Sequence, residues 1–317
     1  MLLAVSAAMA VPGPSGAQAC SPGTCAAPSL TGGAAADRQL AIATVQAVQE
    51  RVGTAIWGGN PVPGTASTLG LRIGTTPRVS LSGQLRLVPA ELPPLLDMTA
   101  VRGRRTLLPG LSAQASLGML PGWSPVSTVG GVLSVDLIGR LSVVPLSSGA
   151  GFETGAAVGG SAGVRLGLLR ESFTMPGLSL TGSYGRSSTI RLGDRDLEDA
   201  DGFVRGAVTD LNGTLAASRR FGGLRLAVGV TADRYSTRAQ VGYRPREPVE
   251  LVEPAGERVR VVTHRRSLFA NAAWTFLIFH ASTELGWQRV PAPTGLPEGV
   301  RVDPTGWWVG TAFRLSI

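Results

Sequence analysis

The feature that most limits what this chain can become is a two-residue alternation of apolar with small or polar residues. It recurs from about residue 65 to the last residue, mostly in runs of about 9–12 residues. Leu69, Leu71 and Ile73 alternate with Thr68, Gly70 and Arg72, and Val79, Leu81, Leu85 and Leu87 with Ser80, Ser82, Gln84 and Arg86. Leu111 to Met119 and Leu133 to Val143 follow the same rule. It returns near 158–169, 178–187, 207–219, 224–235, 266–276, 279–288 and 307–317. Period two places successive side chains on opposite faces of a strand, so each segment has one apolar and one polar face. The chain is 44% hydrophobic and 16% charged, which excludes a disordered polymer. No run of about 18 apolar residues occurs, so a membrane-spanning helix is excluded too.

Two architectures use such strands. A soluble sandwich buries the apolar faces in a shared core, with strands nearer five or six residues. A transmembrane barrel needs about 9–11 residues per crossing and turns its apolar faces to lipid. Strand length and the Gly, Ser, Thr, Arg and Gln of the polar faces favour the barrel. Very short connections at Thr75–Pro77, Phe221–Gly223 and Phe276–Phe279 contrast with long polar ones at 188–205, 236–263 and 289–304. Outer-membrane barrels show this asymmetry, with turns in the periplasm and loops outside. Eleven segments are legible. Even parity predicts an all-β antiparallel transmembrane barrel of about twelve strands, the twelfth from 51–58 or a long loop; ten or fourteen also fit.

Ahead of the barrel, residues 1–19 read as an exported leader: an apolar stretch ending in Ala17-Gln18-Ala19, a small-x-small cleavage site. Cys20 and Cys25 flank the turn residues Ser21 to Thr24 and suit a small disulfide in an oxidising compartment. Lipidation of Cys20 is the alternative. The lead-in 20–64 contains one short amphipathic helix over 37–52, with Asp37 as N-cap. Ala41, Val45, Val48 and Val52 lie on one face, and Gln46, Gln49, Glu50 and Arg51 elsewhere. Gly53 and the Gly58–Gly64 breaker end it. The barrel domain is expected over 65–317.

The final segment places Trp307, Val309, Phe313, Leu315 and Ile317 on one face. It resembles the terminal assembly signal of Gram-negative outer-membrane β-barrels, which usually ends in Phe. That resemblance implies insertion by the barrel-assembly machinery through 307–317, outer-membrane lipid as a partner, and a porin-like channel. Gly59-Asn60-Pro61-Val62-Pro63 after a helix is similar to the plug element of the fatty-acid transporter barrels, with Val62 where that family has a small residue. Tyr184, Trp274, Trp287, Trp307 and Trp308 fall near expected strand ends, as interfacial aromatics do.

Arg72, Arg78, Arg86, Arg140, Arg165, Arg225 and Arg314 fall on the polar faces, with Asp136, Asp210, Asp233 and Glu284. They are the candidate pore lining. Either they pair across strands and fill the interior, or they form a basic channel for anionic solutes. All 29 basic residues are Arg and the net charge is +8, yet they are dispersed, which argues against nucleic acid as a partner. Two histidines exist, His264 and His280. His280-Ala281-Ser282 resembles the His-x-Ser pair of outer-membrane phospholipases, but Thr283-Glu284 replaces the Asn-Gly that follows there. The acidic run Gly193–Gly202 lacks the spacing of a calcium loop. No cofactor, no metal and no enzymatic activity are expected. Passive passage of small solutes is the first functional expectation, a closed structural or surface-binding barrel the second, and a lipid-active barrel enzyme using His280 and Ser282 the third.

Overall fold

The computed structural model describes residues 32–71, 76–93, 95, 104–124, 130–172, 175–193, 202–243, 256–290 and 303–316. Cys20, Cys25, Arg72, Ile317 and most of the acidic run 193–202 lie outside the described residues. One helix, α1 (Gly32–Trp57), precedes ten strands: β1 (Val79–Leu92), β2 (Arg104–Leu120), β3 (Ser134–Pro145), β4 (Ala156–Leu169) and β5 (Gly177–Leu192), then β6 (Gly202–Phe221), β7 (Leu224–Tyr243), β8 (Glu257–Phe276), β9 (Phe279–Arg289) and β10 (Thr305–Ser316). Each strand pairs antiparallel with its neighbours in sequence, and β1 pairs with β10 through Ser80↔Ser316 to Leu87↔Val309, so the barrel closes without an edge.

The described wall has ten strands, the low end of the expected ten to fourteen. The expected strand at 68–73 and the expected twelfth at 51–58 do not appear in the wall among the described residues, because the chain from Leu40 to Gly70 runs inside it. Residues 51–57 are the last turns of α1, and Leu71 makes only an isolated bridge to Pro77. The helix also differs from expectation: it covers 32–57 and passes through Gly53. That glycine lies against the Tyr235 ring, where a β-carbon would meet Cε1 at 2.8 Å, so it serves close packing and does not stop the helix.

Burial alternates along every strand, but what the two faces carry changes along the barrel. In the half containing the start of β1 and the end of β10, leucines and valines face outward: Leu81, Leu141, Leu211, Val228 and Leu285 are each 49–68% exposed. The inward positions there are polar, as in Ser82, Gln84, Ser116, Asp136 and Thr214. In the other half the arrangement is reversed. Val88, Leu92, Ile190, Val208, Val241 and Val261 point inward and form an apolar core with α1, while the outward positions carry Arg205, Arg238 and Arg260. The first half meets hydrocarbon and the second meets water.

Strand length accounts for the division. On β8 the outward residues from Phe276 back to Leu268 are apolar apart from small ones, a stretch that matches the ~9–11 residues of a bilayer crossing. The 20-residue strand therefore projects well beyond the membrane. The two-residue turns at 222–223 and 277–278 join strands at the lipid-side end, as do the longer connections 121–133 and 170–176, whereas 93–103, 146–155, 193–201, 244–256 and 290–304, none of them a tight turn, join strands at the projecting end.

Candidate functional site: a plugged lumen

The lumen holds the chain's own N-terminal segment. From Leu40 to Ala66 every residue is buried except the half-buried Ile42, so α1 is not amphipathic in use: it is covered by barrel wall on all sides. Its path is set by contacts that descend the barrel in order. At the projecting end, Arg38 forms a two-point ion pair with Glu257, the first residue of β8 (Nη2–Oε1 2.6 Å, Nε–Oε2 2.9 Å). Lower down, Arg51 donates to the carbonyls of Asp303 and Thr305 (3.1 and 3.0 Å). Gln49 Nε2 donates to Thr263 Oγ1 at 2.8 Å.

The polar middle of the barrel grips the end of the helix. Arg265 and Asp233 form a fully buried ion pair at 2.6 Å, and the Arg265 guanidinium also reaches Thr54 Oγ1 of α1 and Gln288 Oε1. Tyr235 stacks beneath that guanidinium (5.1 Å to its ring centroid) and tilts against Trp57 (6.3 Å between centroids). Arg140 donates to the carbonyls of Trp57, Asn60 and Pro61 at 3.3, 3.4 and 3.2 Å, while Gln114 Oε1 accepts from its Nε and Nη2. Trp57 ends the helix, so its carbonyl is one of those left without an intrahelical donor, and a cation suits that end of the dipole. Ser142 Oγ donates to the Ile56 carbonyl at 3.0 Å.

Below the helix, Asn60 turns the chain. Its side-chain oxygen accepts from the Val62 amide (3.1 Å), its Nδ2 donates to Asn271 Oδ1 (2.8 Å), and its own amide donates to Glu284 Oε2 (2.9 Å). Glu284 also accepts from Trp308 Nε1 at 2.7 Å and from Asn271 Nδ2 at 2.9 Å. The segment then leaves by Ala66 to Ser218 Oγ (3.0 Å) and by the Leu69 amide to Asp136, which is paired with Arg165 at 2.6 Å. The space left beside Trp57, Pro61, Gln114 and Arg140 is about 20 Å³, room for about one water.

Of the candidate pore residues, Arg86, Arg140, Arg165, Arg225, Arg314, Asp136, Asp233 and Glu284 do face inward, as does Asp210. Arg86, Arg140, Asp136 and Glu284 contact the plug directly, so they do not line an aqueous channel. Arg225 pairs with Glu171 at 2.8 Å near the lipid-side end, and Arg78 lies exposed ahead of β1, not on the wall. Trp308 is fully buried against Glu284 and is not interfacial. Trp287 and Trp307 face each other across β9 and β10 on the outside, and Trp274 is exposed near the lipid-side end of β8. Tyr184 stands mid-strand and outward. His280 Nδ1 lies 2.9 Å from Thr275 Oγ1, its cross-strand neighbour, with Ser282 two residues on along the same inward face. Residues the sequence did not single out, Thr54, Tyr235, Arg265, Asn271 and Gln288, form the centre of the grip. The only signal for the four wall residues was inward parity on β7, β8 and β9, and Thr54 of α1 had none.

No family model and no curated protein sequence matches this chain. Solved barrels do. The outer-membrane protease OmpT of Escherichia coli is similar at 14% identity over 79% of this chain and 100% of its own, with a TM-score of 0.38. The translocator domain of the autotransporter NalP from Neisseria meningitidis shows 13% identity over 77% and 88%, with a TM-score of 0.39. The β domain of the Bordetella autotransporter BrkA shows 15% over 76% and 99%, with a TM-score of 0.40. These likenesses concern fold only. The expectation of a non-enzymatic chain is nevertheless corrected: with a protease among the similar barrels, this shape gives no ground for excluding catalysis. The edgeless ten-stranded wall, apolar outside and polar inside over the half that meets hydrocarbon, has the architecture of a transmembrane β-barrel of the outer-membrane type.

Proposed function

We propose that this outer-membrane barrel is held shut by its own N-terminal segment and works at the cell surface, not as a standing passage for solutes. The observation that carries this reading is the continuous filling of the lumen from Leu40 to Gly70. Leu40, Val45, Val48, Val52, Ile56 and Trp57 are each at most 5% exposed. At ~1.5–3 kcal/mol for each large apolar side chain, their burial stabilises the docked plug by on the order of 10 kcal/mol. An undocked plug is then populated at about one part in 10⁷. Because the tight turns lie at the end away from where α1 begins, the segment enters from the cell-surface side and leaves at the periplasmic side. Export through the 1–19 leader and insertion through the last strand belong to the same reading.

Planar-bilayer recording tests it, with heat-modifiable gel migration as the check on folding. The full chain is expected to show no steady conductance, and a variant lacking residues 32–64 is expected to conduct. Stable ohmic channels from folded full-length protein would overturn the closed reading and restore passive transport of small solutes.

A further inference from the structure

On five consecutive strands the outward-facing series changes from apolar to cationic as it leaves the bilayer. Tyr184 gives way to Arg186 on β5, Leu211 to Arg205 on β6, and Val230 to Arg234 and Arg238 on β7. On β8 the series is Leu268, then Arg266, His264, Arg260 and Arg258; on β9 it is Trp287, then Arg289. All these arginines are exposed. The register brings them together: Arg238 lies opposite Arg260, Arg234 opposite His264, and Arg266 opposite Arg289. Among the described residues no carboxylate faces outward on these five strands. Asp210 and Asp233 point into the barrel, and Glu257 turns in to Arg38.

Like charges directly opposite each other on a sheet are destabilising unless something neutralises them. We propose that the outward faces of β5–β9 form a binding belt for phosphate-bearing lipids of the outer leaflet. Two properties of the surface select that occupant. The change from leucine or tryptophan to arginine takes about 7 Å, two residues of strand, as on β8 and β9. A ligand that satisfies both halves must carry hydrocarbon and anion within that distance. A soluble anion or an acidic protein satisfies only the arginines. Each guanidinium's planar fork can match two phosphate oxygens at once. Tyr184, Trp287 and Trp307 stand at the boundary, where aromatic rings meet headgroups. This inference does not rest on the closed lumen, since every residue it uses faces away from the plug.

The test uses the full chain in neutral detergent, titrated in parallel with diphosphorylated lipid A, its dephosphorylated form, phosphatidylcholine and inorganic phosphate, with bound lipid counted by native mass spectrometry. Diphosphorylated lipid A is expected to bind, more weakly as salt rises. A quadruple variant of the arginines nearest the apolar boundary (R186Q, R234Q, R266Q, R289Q) is expected to lose affinity by on the order of a hundredfold or more. Arg104→Gln on β2, outside the belt, is expected to bind as the parent does. Folding is checked by gel migration, and conductance is expected to stay that of the parent, which separates a failure here from a failure of the plugged reading. Undiminished lipid binding by the folded quadruple variant would overturn the belt. So would equal binding of dephosphorylated lipid, or full competition by inorganic phosphate.

Discussion

Arg140→Met is the sharpest probe of the plugged lumen. Arg140 belongs to the wall, and the plug carbonyls of Trp57, Asn60 and Pro61 accept its hydrogen bonds, with Arg140 only 6% exposed. Methionine keeps the length and loses every donor. A hydrogen bond to a charged group is worth ~1.5–3 kcal/mol. These three share one guanidinium at 3.2–3.4 Å, so the low end applies. Leaving three buried carbonyls unmatched then costs the docked state about 4–5 kcal/mol. That converts to on the order of 10³ times more undocked plug. The assay is the frequency of brief openings in planar bilayers, compared between parent and variant at equal amounts of heat-modifiable protein. Asn212→Ala is the control, because Asn212 bonds Asp233 and Thr214 on the wall and not the plug. An Arg140→Met barrel that folds normally yet opens within twofold of the parent would refute the claim that this side chain holds the plug.

Four further outcomes are expected. Asp233→Leu and Arg265→Met should each lower the unfolding free energy by about 3–5 kcal/mol, since each leaves a buried charge alone, while the double variant recovers most of the loss; equal additivity in urea unfolding would argue against a buried pair. Gly110→Val should push the plug out of register, because a β-carbon there meets the Ala55 carbonyl, so conductance rises without loss of the folded barrel; a silent channel would count against the contact. Brominated lipid should quench Trp274, Trp287 and Trp307 and spare Trp57 and Trp308 in single-tryptophan variants, and quenching of Trp308 would contradict its inward position. An epitope placed directly ahead of Gly32 should bind antibody on intact cells, whereas one in the Gly222–Gly223 turn should need permeabilisation; the reverse pattern would invert the direction of threading.

The lipid-facing wall was legible because its cause is local. Leu268, Ala270, Ala272 and Trp274 announce one face of a strand through spacing alone, and ten of the eleven expected segments are strands. Period two does not say which face is which. On β8 the apolar residues switch from even to odd positions, from Leu268 outward to Val261 and Val259 inward, while the alternation itself continues. A reader following only the period takes the arginines between those valines for luminal residues, although Arg258 and Arg260 point to solvent. Trp307 and Trp308 illustrate the same ambiguity: adjacent in sequence, one faces outward and the other binds Glu284 inside.

The candidate site was less legible. Arg140 and Glu284 were marked by parity, but what they grip lies about 80 and more than 220 residues away in sequence, at Asn60. The helix was expected to end at Gly53 because a glycine usually costs a helix stability; here the Tyr235 ring needs that space. The segment at 68–71 alternates like a strand but lies inside a wall whose hydrogen bonds are already complete. It is held instead through Thr68 to Ser134 and the Leu69 amide to Asp136.

Alternation, composition and strand length were enough to require a β-barrel with its greasy side outward, because those properties follow from how neighbouring residues point. What fills the barrel, and which arginines meet the plug and which face outward, were decided only by contacts such as Arg38 with Glu257 and Asn60 with Glu284. Such contacts depend on how the closed wall brings distant residues together, and no local pattern encodes that.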